Sequence, residues 1–379
     1  MSRPLTVALS CNSAFGVANF RTGIIRAILA EGHRVVVVAR SDEYTPAIRA
    51  LGAEFFDWQV SGRSTGPGAE LRSIAALIAI YREVRPDLAF HFTIKAVIYG
   101  AIAGKLLGIP FISLITGLGY VFLNDTWASR VSRALYRRTL RWSREVWFLN
   151  DEDRLTFERL NLLRPAQARM LPGEGIDMEY FAAAMRERDP AEPPAFLMIA
   201  RLLRDKGVYE YIDAARIVHA SGRPARFLLL GAADADNPSA IGRAQVDEWH
   251  REGVIEYLGT TPDVRPSIRS ADCVVLPSYR EGAPRVLLEA ASMERPVVTT
   301  DVPGCRDMVV DAQTGFLCKA RNAADLARQM MCIMDLDPER LRTMGRKARE
   351  LVAERYDERI VIEHYRHALE RLTAGASPI

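Results

Sequence analysis

Glu281 and Glu289 stand eight positions apart in the run Pro277-Ser278-Tyr279-Arg280-Glu281-Gly282-Ala283-Pro284-Arg285-Val286-Leu287-Leu288-Glu289-Ala290. Carboxylates accept hydrogen bonds from hydroxyl groups, and the N–H groups at a helix start attract phosphate. Gly282 lets the backbone approach a ligand closely, and Pro284 suits a helical first turn. One carboxylate for sugar hydroxyls, a helix start for phosphate and a second carboxylate for a ribose form a set suited to a nucleotide sugar. The elements around them follow from periodicity. Cys273-Val274-Val275-Leu276 reads as a buried parallel strand, and the apolar positions from Arg285 to Met293 fall at helical spacing. Glu281 is therefore expected in the strand-to-helix loop and Glu289 about two turns along the helix. At ~100° per residue their separation rotates by ~80°, which puts both on one side.

A second run, Ala200-Arg201-Leu202-Leu203-Arg204-Asp205-Lys206-Gly207, follows another expected strand, with a helix beginning near Val208. Loss of a nucleoside diphosphate gathers negative charge on the leaving group. Without a metal, fixed cations and amides must meet that charge, and Arg201 and Lys206 are the candidates. Tyr257-Leu258-Gly259-Thr260 ends a strand where backbone groups can pair with the edge of a base; the residues alone do not separate uracil from guanine.

These runs resemble the retaining family-4 glycosyltransferases, including bacterial enzymes that add N-acetylgalactosamine to undecaprenyl-diphosphate-linked sugars. The resemblance spans nearly the whole chain and is strongest from Met198 to Leu317. It implies the GT-B fold, with Glu281 on the donor sugar hydroxyls and Glu289 on the ribose. The backbone from Gly282 through Ala283, Pro284 and Arg285 to Val286 would face the diphosphate, with Arg201 and Lys206. Leu258 would lie at the uracil. Arg204 has no counterpart and is expected at the surface. In the first half the resemblance brings Gly16, in the loop after strand one, toward the donor diphosphate. Gly117 and Gly119 are expected on the acceptor side, and simple loop geometry is the alternative for all three. Many family members carry a histidine after the strand that ends here at Phe92. This chain has Thr93-Ile94-Lys95 there, and His91, slightly early, is the candidate for the acceptor side.

Composition bounds the rest. A chain of 379 residues exceeds one ordinary core, so two domains are expected. Hydrophobic content of 49% and charged content of 26% are those of a soluble globular protein. A net charge of only +3 leaves no basis for a nucleic-acid partner, so any basic function must be local. Cys11, Cys273, Cys305, Cys318 and Cys332 are scattered and contain no C-x-x-C pair, which fits a reducing cytoplasm. Met1 to Ser10 reads as a first strand rather than a signal peptide, and no apolar run reaches the ~18 residues of a spanning helix. The D-x-D pattern occurs at Asp151, Asp234 and Asp335. Three occurrences in one chain show how little it specifies, and His364 with His367 lack a third ligand, so no metal and no cofactor beyond the nucleotide sugar are expected.

Alternating apolar runs and helical periodicity imply a doubly wound α/β architecture throughout. Charges and prolines from Arg186 to Pro194 mark the expected linker. The expected organisation is two Rossmann-like domains facing a central cleft: residues 1–186 for the acceptor, residues 195–357 for the nucleotide sugar, and a last helix from 358 that returns to the first domain. A helix around Arg130–Arg141 and a strand at Val146–Leu149 are expected; were the helix to run on toward Asn150, Arg130, Arg133, Arg137, Arg141 and Arg144 would fall on one face, with Trp127, Trp142 and Trp147 nearby. Such a helix is either an interfacial contact with an anionic membrane surface or a helix packed on its own core. The function expected is transfer of a hexose or N-acetylhexosamine from a UDP-sugar to a lipid-linked saccharide, at the cytoplasmic face of a bacterial inner membrane. A GT-B sugar-nucleotide epimerase and a non-catalytic nucleotide-binding partner are the alternatives.

Overall fold

The computed structural model describes residues 3–60, 66–118, 122, 127–183, 192–233 and 239–373. The chain divides into two compact units, 1–175 with 358–379, and 176–357. In chain order the first contains β1 (Thr6–Ser10), α1 (Ala14–Phe20), α2 (Thr22–Ala30), β2 (Arg34–Ala39), α3 (Thr45–Ala50), β3 (Glu54–Asp57) and α4 (Pro67–Val84). There follow β4 (Leu88–Phe92), α5 (Ile94–Leu107), β5 (Phe111–Ile115), α6 (Trp127–Thr139), β6 (Glu145–Phe148), α7 (Asp151–Arg159) and β7 (Ala168–Met170). The parallel sheet runs β3-β2-β1-β4-β5-β6-β7. Strands such as Val35-Val36-Val37-Val38-Ala39 are apolar at every position because helices cover both faces, and all five are buried.

The second unit continues with β8 (Ala195–Ile199), α8 (Val208–Ala220), β9 (Arg226–Leu230), α9 (Arg243–Arg251), β10 (Glu256–Gly259), α10 (Arg265–Ser270) and β11 (Cys273–Leu276). Then come α11 (Arg285–Ser292), β12 (Val297–Thr300), β13 (Gly315–Cys318), α12 (Ala323–Met334) and α13 (Pro338–Arg355). Its parallel sheet runs β10-β9-β8-β11-β12-β13. Chain order therefore reverses between β1 and β4 in one unit and between β8 and β11 in the other. Ligands of open α/β sheets bind outside the carboxyl ends of strands at such a reversal. In the second unit the loops there are 200–207 and 277–284, which carry the sequence candidates.

The last helix, α14 (Glu358–Thr373), belongs to the first unit. Its Tyr365 ring lies 4.7 Å from that of Phe90 and 4.9 Å from that of Trp147. The chain leaves the first unit at Gly175–Ile176 and re-enters at Asp357–Glu358, and the two crossings run together: Ile176 N–H donates to Tyr356 O at 2.9 Å. The outward crossing precedes the Arg186–Pro194 stretch because Ile176 and Phe181 are buried in the second unit's core. Residues 186–191 lie outside the described residues.

The basic helix stops before the strand expected at Val146–Leu149. α6 ends at Thr139, Leu140–Trp142 form a 3-10 turn, and β6 begins at Glu145. Arg144 thus precedes a strand, and Trp147 is 2% exposed, its indole N–H bonded to Glu145 at 2.8 Å. The run Val146-Trp147-Phe148 pairs with β5 as a buried strand, and that pairing overrides the helical spacing. Trp147 is not available to a membrane. Among the described residues no helix is long and apolar enough to cross one.

Candidate functional site

At the chain reversal of the second unit, two loops meet backbone to backbone. Gly207, at φ 76°, starts α8, and a Cβ there would lie 2.1 Å from Pro277 O. Tyr279 N–H donates to Asp205 O at 2.9 Å. These contacts bring Lys206 to Glu281. The ammonium donates to Glu281 Oε1 at 2.5 Å, and Ser278 Oγ donates to the same oxygen at 2.7 Å. With side chains only 20% and 13% exposed, the ion pair is partly shielded from solvent. The Glu281 backbone is fixed from the loop after β12: its N–H donates to Pro303 O at 3.2 Å. Gly304, at φ 81°, leaves room where a Cβ would meet Glu281 O at 2.5 Å. Thr300 Oγ1 donates to Ser278 O at 2.5 Å. Burial, and then the charge of Glu281, push the Cys305 thiol up to about 12, so it stays protonated.

Glu281 lies in the loop four positions before α11 begins at Arg285. Pro284 caps that helix without a side-chain hydrogen bond, and the first turn has no acidic residue. Its own cap therefore does not neutralise the positive end of the helix dipole. Glu289 sits just over one turn inside, closer to the start than expected, because the helix begins only at Arg285. Arg285 Nε donates to Glu289 Oε1 at 2.9 Å. Burial raises the Glu289 carboxyl above its ordinary range, and Arg285 offsets this only in part. Pairs and amides of this kind can receive an anion and hydroxyl groups side by side.

Around this centre, Tyr279 OH donates to Glu210 Oε1 at 2.6 Å, and Arg321 lies 4.6 Å from the Tyr279 ring centroid. Burial first, and then Glu210, raise the Tyr279 phenol well above its ordinary range. Arg201 is exposed and forms no ion pair among the described residues, and Arg204 is exposed beside the Tyr209 ring. Leu258 falls in a β-bulge: Tyr257 pairs with Leu229 and Gly259 with Leu230, which leaves Leu258 outside the ladder and 42% exposed. Gly231 accepts the Tyr257 hydroxyl at 2.8 Å and sits at φ 153°, where a Cβ would lie 1.7 Å from Ala200 O. Gly231→Ala is accordingly expected to lower unfolding free energy by ~2 kcal/mol or more, read by urea titration.

Sequence reasoning gave no role to Ser278, Tyr279, Glu210, Thr300 or Gly304. A signal existed only for Gly304, where Pro303-Gly304 after a strand marks a turn.

In the first unit the candidates are less concentrated. Gly16 lies inside α1 rather than in a loop, its N–H held by the Ser13 cap at 3.2 Å. Gly117 follows β5 at φ 140°. Gly119 and the Trp127 side chain lie outside the described residues, as do Asp234 and Asp236. His91 must be corrected. It is 0% exposed within β4, hydrogen-bonded to Tyr81 OH at 3.0 Å and packed on Gly100, where a Cβ would come within 2.5 Å of its ring. Burial holds its pKa down to about 3, so it is a neutral core residue and not an acceptor contact. Asp151 pairs with Arg154, Asp335 with Arg223, and Asp337 caps α13. Among the described residues no three His, Cys, Asp or Glu side chains cluster as metal ligands would.

Comparisons with known proteins agree with this geometry. Residues 15–174 match the "Glycosyl transferase 4-like domain" model, and residues 193–335 match "Glycosyl transferases group 1". A Campylobacter jejuni N,N'-diacetylbacillosaminyl-diphospho-undecaprenol alpha-1,3-N-acetylgalactosaminyltransferase is 27% identical, over 97% of this chain and 99% of that protein. Among solved structures, a Rickettsia africae glycosyltransferase superposes with a TM-score of 0.80 at 14% identity, covering 99% of this chain and 100% of its own. HepE of Anabaena, solved with UDP and glucose, gives 0.79 at 18% identity, covering 97% of this chain and 100% of its own. Two sheets of the same reversed order, a Lys206–Glu281 contact where the second sheet reverses, and matches to both halves lead to one conclusion: the chain belongs to the family-4 glycosyltransferases of GT-B fold.

Proposed function

We propose that this glycosyltransferase is retaining and metal-independent, and moves a hexose or N-acetylhexosamine from a UDP-sugar to an undecaprenyl-diphosphate-linked saccharide. The observation that carries the reading is the Lys206–Glu281 contact at the chain reversal of the second unit. An incoming diphosphate bears more charge than one carboxylate, so it competes for Lys206 and frees Glu281 for the sugar hydroxyls. Arg201 joins Lys206 on the phosphates, the Gly282–Val286 backbone faces them, Glu289 takes the ribose, and the Leu258 bulge meets the base. In the first unit the roles proposed are the diphosphate for Gly16 and the acceptor for Gly117 and Gly119.

In the reaction the acceptor hydroxyl oxygen bonds to the anomeric carbon on the face the leaving group departs from, and the bond to the diphosphate breaks. The departing phosphate oxygen takes the hydroxyl proton, so no protein base is required. The Campylobacter relative's lipid-diphosphate acceptor supports the acceptor class, and the HepE complex with UDP supports the base. No cofactor beyond the donor is proposed. The test is a thermal-shift screen over nucleotide sugars, since a ligand bound only by the folded state raises apparent stability. Transfer to lipid-linked saccharide is then assayed with the stabilising donor. UDP-sugars should stabilise and be consumed only with acceptor. Interconversion without acceptor would instead make the chain an epimerase, and binding without any turnover would make it a non-catalytic partner.

The site of action proposed is the cytoplasmic face of a bacterial inner membrane, with peripheral attachment through Arg133, Arg137 and Arg141 beside Trp142 and Trp127. Each cation near an anionic surface contributes ~1 kcal/mol. Changing the three arginines together to Glu is expected to release the protein from anionic liposomes in co-sedimentation and to leave UDP binding unchanged. Undiminished sedimentation of this variant would remove the helix from any membrane role.

A further inference from the structure

The first unit carries a hollow of about 390 Å³ lined by Ala134, Arg137, Arg138, Arg141, Trp142 and Arg164. Arg137 and Arg138 stand in the last turn of α6 and Arg141 in the 3-10 turn after it, whereas Arg164 comes from beyond α7. Cations at the end of a helix complement its dipole. That accounts for the first two but not for an arginine delivered from another element.

Two of these guanidiniums are braced by backbone. Arg137 Nη2 donates to Leu160 O at 3.2 Å, and Arg164 Nη2 to Arg141 O at 3.4 Å. Arg138 lies 5.9 Å from the centroid of the Trp142 ring, which is half-buried against the core. None of the four forms an ion pair with a carboxylate among the described residues, while Arg154 on adjacent α7 has both Asp151 and Glu158. Like charges around one hollow repel unless an anion joins them. The planar guanidinium fork matches phosphate oxygens two at a time.

We propose that this hollow is a discrete phosphate-binding site, with the four arginines as donors and Trp142 at its wall. The proposal deepens the membrane contact above, replacing diffuse attraction by a saturable site, and rests on none of the donor-site residues. The phosphate has two sources, the headgroup of an anionic phospholipid or a soluble diphosphate.

The experiment has an arm for each source. Phosphatidylglycerol vesicles in co-sedimentation test the headgroup, and inorganic pyrophosphate in titration calorimetry tests the soluble anion. The double variant Arg138→Gln/Arg141→Gln removes two exposed charges that pair with no described carboxylate. It should weaken whichever arm binds by on the order of 10-fold or more. Arg164→Gln should weaken the same arm. Arg340→Gln/Arg346→Gln, with the same net charge but on exposed positions of α13, should bind as the parent does. Pyrophosphate at the donor site is recognised separately, because that component is lost in Lys206→Ala and kept in the arginine variants. Binding in one arm with this pattern supports the site and names its source. If the parent binds in neither arm, or the arginine variants bind as the parent does, or the α13 control loses as much, the proposal is overturned.

Discussion

Replacing Arg201 or Lys206 by alanine is expected to lower turnover about 100-fold, the scale on which one preorganised electrostatic group acts. The two variants should nevertheless differ. Arg201 is exposed without an ion pair among the described residues, so its loss leaves the resting site as it is. Lys206 neutralises Glu281, and removing it leaves the carboxylate with Ser278 Oγ in a pocket where the side chain is 13% exposed. Lys206→Ala should therefore also shift the thermal midpoint, and Arg201→Ala should not. Initial rates of sugar transfer measure the effect. EDTA is expected to change nothing in the parent, and loss of activity restored by Mn²⁺ would overturn metal independence.

The glutamates are expected to separate kinetically. Glu281→Gln should depress kcat about 100-fold while raising donor KM much less, because contacts to the reacting sugar strengthen in the transition state. Glu289→Gln should mainly weaken UDP binding, by roughly 10- to 100-fold if one hydrogen bond to a charged group is lost. Arg285 bonds Glu289 at Oε1, so the variant also alters that contact. Calorimetry with UDP reads this directly, and a Glu289→Gln variant that binds UDP like the parent has no ribose contact to lose.

The strands, loops and helix starts that carry Lys206 and Glu281 were legible in the sequence because their determinants are local. Continuous apolar runs such as Cys273–Leu276 are strands when helices cover both faces, and a glycine and proline before an amphipathic run announce a loop and a helix start. Glu281 and Lys206 could each be assigned to a loop by such signals. Their contact could not, since it depends on Gly207 meeting Pro277 and on a brace from Pro303 in a third loop. His91 was misjudged for a related reason. Its partner Tyr81 comes from the preceding helix and the space it fills is left by Gly100, so its burial is a property of packing rather than of its own strand. The basic stretch held two readings, because residues 144–147 continue a helical spacing while Val146–Leu149 is also an apolar run; the ladder with β5 selects the strand. Short edge elements such as β3 and β7 carry no clear apolar alternation, so periodicity does not announce them.

The paired crossings at Gly175–Ile176 and Asp357–Glu358 make the second unit an insertion whose ends are tied together by the Ile176–Tyr356 hydrogen bond. On the ribosome this sets an order of maturation. Most of the first unit precedes the second in synthesis, but Val361, Tyr365, Ala368 and Leu369, all buried, emerge only after the whole of the second unit. The inserted unit is contiguous and can fold as soon as its chain is out. Its length adds little to the entropic cost of docking α14, since the cost of loop closure grows only logarithmically with length. Until α14 docks, Phe90 and Trp147 lack the Tyr365 ring that covers them, so the half translated earliest is the half completed last and the one exposed longest to aggregation or to a chaperone.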